Sequence, residues 1–439
     1  VFSSLLEAVT GHFGWLYVLS VALFIGLSIW LPLSRYARLR LGDDDERPAF
    51  PRVSWFAMLF SAGMGIGLVF YGVAEPMTHF ASPPLVEGGT AEAARLALPT
   101  TFFHWGIHAW AIYLVMALSI AYFAYRKKLP LAIRSCFHPL LGDRIHGPIG
   151  HFVDIAAVCG TLFGLATSLG LGSMQVSAGL HHLFGLPHGT NTQLVLIAII
   201  TVAATISLVT GIGRGIRRLS ELNLILAVLL ALFVLVVGPT SAIISALIDG
   251  TVDYVAVMAE RTFKIVPSTP TEATWMNGWT LFYWSWWIAW APFVGMFVAR
   301  VSRGRTIREL VLGMLLVPTG VTFVWFAIFG GTALELQRVH GGIAEAVSSD
   351  VATAVYAVLE QLPMSQVTSL LAATVVIIFF VTSSDSASFV VDMITSGGHP
   401  NPPVWQRIFW AFTEGACAAL LLYVGGQQAL KAMQAAVVS

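Results

Sequence analysis

Ser61-Ala62-Gly63-Met64-Gly65-Ile66-Gly67 interrupts an apolar run, 53–80, that is long enough to cross a bilayer. Each glycine costs a helix about 1 kcal/mol relative to alanine, so three at alternate positions predict a break. Irregular backbone at membrane depth persists only where protein buries it or a water-filled cavity adjoins it. Freed carbonyls there coordinate a cation, and the N-terminus of the second half-helix receives a carboxylate. Close packing through small residues is the competing explanation. The glycines, however, lie two apart rather than four and flank Met64. The run reads as a discontinuous membrane helix of the kind that builds a transport site.

The rest of the chain supports a membrane setting. It is 57% hydrophobic and 10% charged, with mean hydropathy +0.80, whereas soluble domains carry about 25% charged residues. Apolar segments fall at 13–34, 53–80, 99–125, 150–180, 191–211, 221–240, 275–299, 307–333, 364–395 and 404–424, and an eleventh begins near 427. Loops 35–52, 126–149, 212–220, 300–308 and 396–407 hold 18 of the 23 Lys and Arg residues. The opposite loops hold Arg95, Arg261, Lys264, Arg338 and Lys431. By the positive-inside rule the chain starts on the outer side. Val1 and Ser439 read as trimmed ends of a longer protein, whose own N-terminus is expected in the cytoplasm. Segment 241–265 reads as an outer amphipathic helix. The all-α polytopic class follows.

Several classes of function drop out. Net charge is zero, so no nucleic-acid partner is implied. Cys136, Cys159 and Cys417 lie far apart and suggest neither disulfides nor a metal cluster. There is no phosphate-binding loop, haem or zinc signature, or nucleophile elbow. No cofactor, no enzyme activity and no primary pumping are expected.

Trp279 to Phe293, WTLFYWSWWIAWAPF, is the second special span. At 100° per residue, Trp279, Tyr283, Trp286, Trp287, Trp290 and Phe293 share an arc of roughly 120°, with Trp284 on the far side. Such a wall attracts quaternary ammonium groups through the ring quadrupoles. It lies five spans after the glycine break, so the two spans cross in opposite directions, as the first members of two inverted repeats do. Span 99–125 adds Trp105, Trp110 and Tyr113 as a second aromatic wall, or as an interfacial belt. His104 and His108 are i, i+4 neighbours with no acidic or thiol partner nearby in sequence, so no metal is expected on them, though a histidine suits proton coupling. In span 364–395, Thr382 and Ser383 offer hard oxygen ligands to a cation, or bond to carbonyls one turn back. Asp385 is ionisable within a span and is functional or structural by default. Arg300, Arg303, Arg305 and Arg308 read as a positive-inside anchor, with a gate or lipid contact as the alternative.

The stretches GMGIGLVFYGVAEP (63–76), HWGIHAWAIY (104–113), WTLFYWSWWIAWAPFVGMFVARVSRGRTIRE (279–309) and FFVTSSDSAS (379–388) resemble the betaine/choline/carnitine transporter (BCCT) family over essentially the whole chain. The resemblance implies the LeuT-type fold, two inverted five-helix repeats with auxiliary spans. Residues 1–52 then hold an auxiliary helix and inner loop, and 53–240 the first repeat. The outer helix and linker take 241–274, and the second repeat 275–439. A homotrimer in the bacterial cytoplasmic membrane is implied.

Carried over by residue, Trp105, Trp110, Tyr113 and Trp287 match the box for the trimethylammonium group. Trp286 and Trp290 match tryptophans along the pathway. Gly63, Met64, Gly65 and Gly67 supply backbone to the substrate carboxylate. Ser61, Met64, Phe379, Thr382 and Ser383 match a sodium site. Thr161 and Phe293 match part of a second one, whose other threonine is Leu165 here. No arginine stands in Glu221–Leu224 to replace the ion, as it does in sodium-independent exchangers. HGPIGHFVDIAAV (146–158) and GIRRLSELN (215–223) resemble proton-coupled choline members, yet those carry aspartate where this chain has Gly67. The resemblance therefore implies sodium-coupled uptake of glycine betaine or a close analogue, with proton-coupled choline uptake as the alternative.

Overall fold

In the computed structural model the described residues are 2–63, 65–209, 213–397 and 402–439, and the side chains of residues 3, 60–63, 207–209 and 213–218 are not described. Every described regular element is helical, and one isolated bridge pairs Arg40 with Thr306. In chain order the helices are α1 (Phe2–Leu33), α2 (Arg52–Gly63), α3 (Ile66–Ala81), α4 (Ala91–Trp105), α5 (Ile107–Ala121), α6 (His138–Leu141), α7 (Pro148–Phe184), α8 (Thr190–Val209), α9 (Gly213–Val237) and α10 (Thr240–Arg261). There follow α11 (Pro270–Met276), α12 (Phe282–Val301), α13 (Ile307–Val339), α14 (Ile343–Ser349), α15 (Ala354–Glu360), α16 (Ser365–Thr395) and α17 (Val404–Val438). Within the described residues, the ten apolar segments expected from the sequence fall on helices. Among the described residues nine helices are long and apolar enough to cross a membrane.

The expected break is present. Between α2 and α3, Gly65 is extended (φ −157°, ψ −158°). A second break, not expected, separates α4 from α5 at Gly106 (φ −90°, ψ −137°). It orphans the His104 carbonyl, because the next helix starts at Ile107. The Trp287 indole N–H, 3.0 Å away, satisfies that carbonyl. A third lies at Gly426 (φ 57°, ψ −147°), which divides α17 into two arms. Gly425 lies against Phe2 at the start of α1, whereas the Tyr17 hydroxyl reaches Ala435 O (3.1 Å), so the second arm runs alongside α1 in the same direction. This matches separate segments at 404–424 and from 427.

Helix α10 differs from a simple amphipathic helix. Ile243, Gly250, Tyr254 and Val257 are buried against α4 and α13, while Ile244, Ile248, Val252 and Val255 form an exposed apolar stripe. By length and composition it counts among the nine.

Three of the four arginines of 300–308 make contacts within the protein. Arg305 is buried over the Trp55 ring (4.5 Å) and donates to Phe50 O (2.6 Å). Arg308 donates to Pro32 O (3.0 Å), and Arg303 pairs with Glu46. Arg303 and Arg305 tie the segment after α12 to the segment before α2, and Arg308 ties the start of α13 to the end of α1. In the same region Lys128, 2.8 Å from Asp43, holds that exposed carboxyl below its ordinary range.

Candidate functional site

The α2–α3 break, α5, α12 and α16 converge on one cavity of about 110 Å³. Its aromatic side is Trp105, Tyr113, Trp286, Trp287, Trp290 and Phe293. Its polar side is Gly65, Gly67, Thr382, Ser383, Ser386, Ser168, Ser220 and Asn223. Trp286 and Trp287 stack in parallel (5.2 Å, 7°), and Trp105 (4.9 Å, 71°) and Tyr113 (6.0 Å, 73°) both stand edge-on to Trp287. The faces and edges so arranged form a corner in which a methylated cation meets several rings.

Three expected aromatics stand elsewhere. Trp110 is one ring back, edge-on to Tyr113 at 5.6 Å, and does not line the cavity. On the helical wheel Trp110 stands about 140° from Trp105, and Tyr113, on the same unbroken α5, takes the place on the cavity. Trp279 packs on His79 (4.7 Å) and Tyr71 (6.0 Å). A π-helical turn over Asn277–Leu281 puts it out of step with the tryptophans that follow. Tyr283 lies behind the wall, stacked on Trp287 (5.6 Å, 20°).

Of the expected ion ligands, Phe379, Thr382 and Ser383 line the cavity, and the position of a Cβ on Gly65 lies 3.6 Å from Ser383 Oγ. The break and the hydroxyl pair are thus neighbours. Thr382 donates to Ile378 O (2.9 Å), the back-bond weighed against ion ligation. The two are compatible, because a donating hydroxyl keeps its lone pairs. Met64, the side chain of Ser61 and the surroundings of Gly63 lie outside the described residues. Thr161 donates to Ala157 O (2.9 Å) and does not line the cavity. Leu165, buried, occupies the place of a second hydroxyl.

Two donors in the wall have no partner. Neither side-chain atom of Asn223 is hydrogen-bonded, although the residue is buried, and Trp286 Nε1 is likewise unpaired. Both residues line the cavity, where buried donors without a partner suit an anionic group of a ligand.

Sequence reasoning missed Glu75 and its surroundings. This fully buried carboxyl of α3 meets His104 Nδ1 (2.7 Å), His79 Nε2 (3.2 Å), Trp105 Nε1 (2.7 Å) and the Tyr283 hydroxyl. The partner of His104 thus comes from 29 residues upstream. The available signal was an ionisable residue within an apolar span. His108 lies apart from this cluster, stacked on Trp284 (5.2 Å, 5°) and 2.9 Å from Thr262 Oγ1.

Comparison with known proteins covers the whole length of the chain. The family profile described as BCCT, betaine/carnitine/choline family transporter, matches residues 1–439. The glycine betaine transporter OpuD of Bacillus subtilis (strain 168) is 49% identical, with 96% of this chain and 82% of that protein aligned. Glycine betaine transporter 1 of Vibrio parahaemolyticus is 47% identical, with 98% and 83% aligned. A glycine betaine/proline/choline/ectoine transporter of the same organism is 44% identical, with 100% and 77% aligned. Among solved structures, a manganese transporter of Eremococcus coleocola is similar over 92% of this chain and 79% of its own, at 13% identity and a TM-score of 0.46.

Proposed function

The chain belongs to the betaine/carnitine/choline transporter family, a family of LeuT-type membrane transporters and not of enzymes, and we propose that it takes up glycine betaine or a close analogue by sodium symport. The observation that carries this reading is one cavity with two unlike walls. The tryptophan wall suits a quaternary ammonium. The opposite wall of helix break and hydroxyls suits a carboxylate and a hard cation.

The substrate's trimethylammonium sits among Trp105, Tyr113 and Trp287. Its carboxylate faces the Gly65–Gly67 backbone and the free donors of Asn223 and Trp286. Sodium lies between the α2–α3 break and Thr382 and Ser383. Each desolvated cation–π contact contributes about 2 kcal/mol, so three or four support micromolar binding after ordering costs. Ion binding favours an outward-open state with the box formed, and the repeats then rock to open inward. The relatives' bacterial origin favours the cytoplasmic membrane, with the chain start on the outer side, and the family resemblance favours a homotrimer.

Proton-coupled choline uptake is the second reading, favoured by the stretches at 146–158 and 215–223. Gly67 speaks against it, since choline brings no carboxylate and this chain offers no aspartate there. Uptake into proteoliposomes under an imposed sodium gradient or an imposed pH gradient separates the two. The panel contains betaine, choline, ectoine, proline betaine and a sulfonium analogue. Sodium-driven betaine accumulation is expected. A response to the pH gradient alone, with choline preferred, reverses the assignment, and binding without accumulation points to a receptor.

A further inference from the structure

Glu75 is a fully buried carboxyl group in the middle of a membrane helix, and the symport reading leaves it without a task. Its four partners come from three elements. Trp105 Nε1 donates to Oε2 across 2.7 Å, and the Tyr283 hydroxyl donates to the same oxygen. His79 Nδ1 accepts from Trp275 Nε1 (3.3 Å), so in a neutral ring the hydrogen sits on Nε2, which faces Oε1 at 3.2 Å. His104 Nδ1 faces Oε1 at 2.7 Å, and its Nε2 has the Thr280 hydroxyl at 3.0 Å, a rotor that donates as readily as it accepts. Trp105, Tyr283 and His79 are donors and His104 can be a fourth, and a group that accepts from so many partners has the role of a carboxylate. Among the described residues no lysine or arginine forms an ion pair with it. Lys431 Nζ lies over the Phe282 ring (4.5 Å).

The cluster of Glu75, His79 and His104 has the residue types of a metal site. Tetrahedral ligands on zinc stand about 3.3 Å apart. The 2.7 Å from His104 Nδ1 to Oε1 is shorter than that and is a hydrogen-bond contact. The cluster is closed around hydrogens, not around an ion.

The position of the negative charge is informative. Trp105 lines the cavity with its ring and gives its N–H to Glu75. Tyr283 gives Glu75 its hydroxyl and stacks on both Trp286 (6.1 Å, 24°) and Trp287 (5.6 Å, 20°). The carboxylate is therefore one ring behind the wall. From there it acts twice on a cation in the corner. Its field reaches the site through low-dielectric protein. Its charge-assisted hydrogen bond also draws electron density toward the face of Trp105, the donor that lines the cavity, which strengthens that ring's hold on a cation.

We propose that Glu75 is the buried counter-charge of the quaternary ammonium and sets the preference of the cavity for a cationic over a neutral trimethyl group. It touches no substrate and works through Trp105 and Tyr283, which makes it a positioning and specificity residue. The proposal rests on the betaine reading of the cavity.

The test compares glycine betaine with 3,3-dimethylbutanoate, the same shape with carbon in place of the charged nitrogen, in tryptophan-fluorescence titrations of the purified protein. Wild type binds betaine at least about tenfold more tightly than the isostere. Glu75→Gln lowers betaine affinity by about tenfold or more and leaves that for the isostere within about threefold. Glu75→Asp, which keeps the charge, retains the wild-type preference. Equal loss of both ligands in Glu75→Gln shows a purely structural role and overturns the proposal, as does an undiminished preference. If Glu75→Gln does not fold, the wild-type ratio and Glu75→Asp decide, and a preference under about tenfold in either overturns it. Wild-type protein that binds neither ligand overturns the substrate reading itself, an outcome visible before any variant is made.

Discussion

Gly67 and Trp286 are in such close approach that a Cβ on Gly67 would lie 2.9 Å from Trp286 Cη2, with Trp105 Cη2 on its other flank at 3.0 Å. The absence of a side chain is what lets the two indoles meet over the helix break. Gly67→Ala is expected to displace Trp286 and lower betaine affinity by about tenfold, because a tightly packed ring moves only at a cost. Gly67→Asp is expected to do more, since a carboxylate enters the same gap. A choline-type member with aspartate at this position must seat Trp286 differently. Fluorescence titration of Gly67→Ala checks the claim, and wild-type affinity there means that Trp286 steps aside freely.

Trp287 and Trp110 separate two kinds of aromatic residue. Trp287 lines the cavity and satisfies the His104 carbonyl at the Gly106 break, whereas Trp110 supports Tyr113 from behind. Trp287→Leu is expected to weaken betaine binding about tenfold or more by removing a cation–π face. Trp110→Leu is expected to lower thermal stability by about 3 kcal/mol through its buried volume, with a smaller effect on affinity. Equal affinity losses in the two variants would contradict the separation seen in the cavity wall.

The helical spans were legible in the sequence because glycine breaks and apolar length each have a direct physical reading. Gly63, Gly65 and Gly67 announced the first break by their number. Gly106 announced nothing, being one glycine in a run that stays helical on both sides. Trp110 stands about 140° from Trp105 on the wheel and yields the cavity wall to Tyr113 of the same α5, and the π-turn at Asn277–Leu281 moved Trp279. A wheel drawn from sequence assumes an unbroken 3.6-residue period, and each local departure from it moves a side chain to another face. The Glu75 cluster was invisible for another reason. Its members lie on α3, α4 and α12, and only packing brings them together.

Thr382 and Ser383 make a prediction about sodium that does not depend on substrate chemistry. Both line the cavity beside the α2–α3 break. Thr382→Val keeps shape and removes the oxygen. It is expected to raise the sodium concentration for half-maximal uptake by about tenfold, the effect of losing one hard ligand. Ser383→Ala is expected to act in the same direction. Thr374 is a matched control on α16, with the same back-bond (2.8 Å to Leu370 O) on an exposed face. Thr374→Val should leave the sodium dependence unchanged. A shift in the control as large as that in Thr382→Val would mean that helix distortion, and not ligation, is being measured.

Leu165 offers a gain of function. It is buried on α7 one turn after Thr161, and Phe293 of α12 lines the neighbouring cavity. Thr161 donates to Ala157 O at 2.9 Å, so its lone pairs remain free, yet one hydroxyl does not make a site for a hard cation. Leu165→Thr supplies the second. Its hydroxyl hydrogen has the Thr161 carbonyl one turn back as an acceptor, the bond Thr161 itself makes, so the new oxygen is satisfied without an ion. Loss of the leucine methyl groups is expected to cost about 2 kcal/mol of stability. Uptake in the parent chain is expected to depend on sodium with a Hill coefficient near one, and in Leu165→Thr with a coefficient clearly above it. Uptake measured against sodium concentration in proteoliposomes, at saturating betaine, reads this directly. A parent chain that already shows two-ion cooperativity would place the second sodium elsewhere and remove Thr161 and Phe293 from consideration. A variant that folds, transports and stays at one ion would show that these positions lack the remaining ligands, whatever hydroxyls are provided.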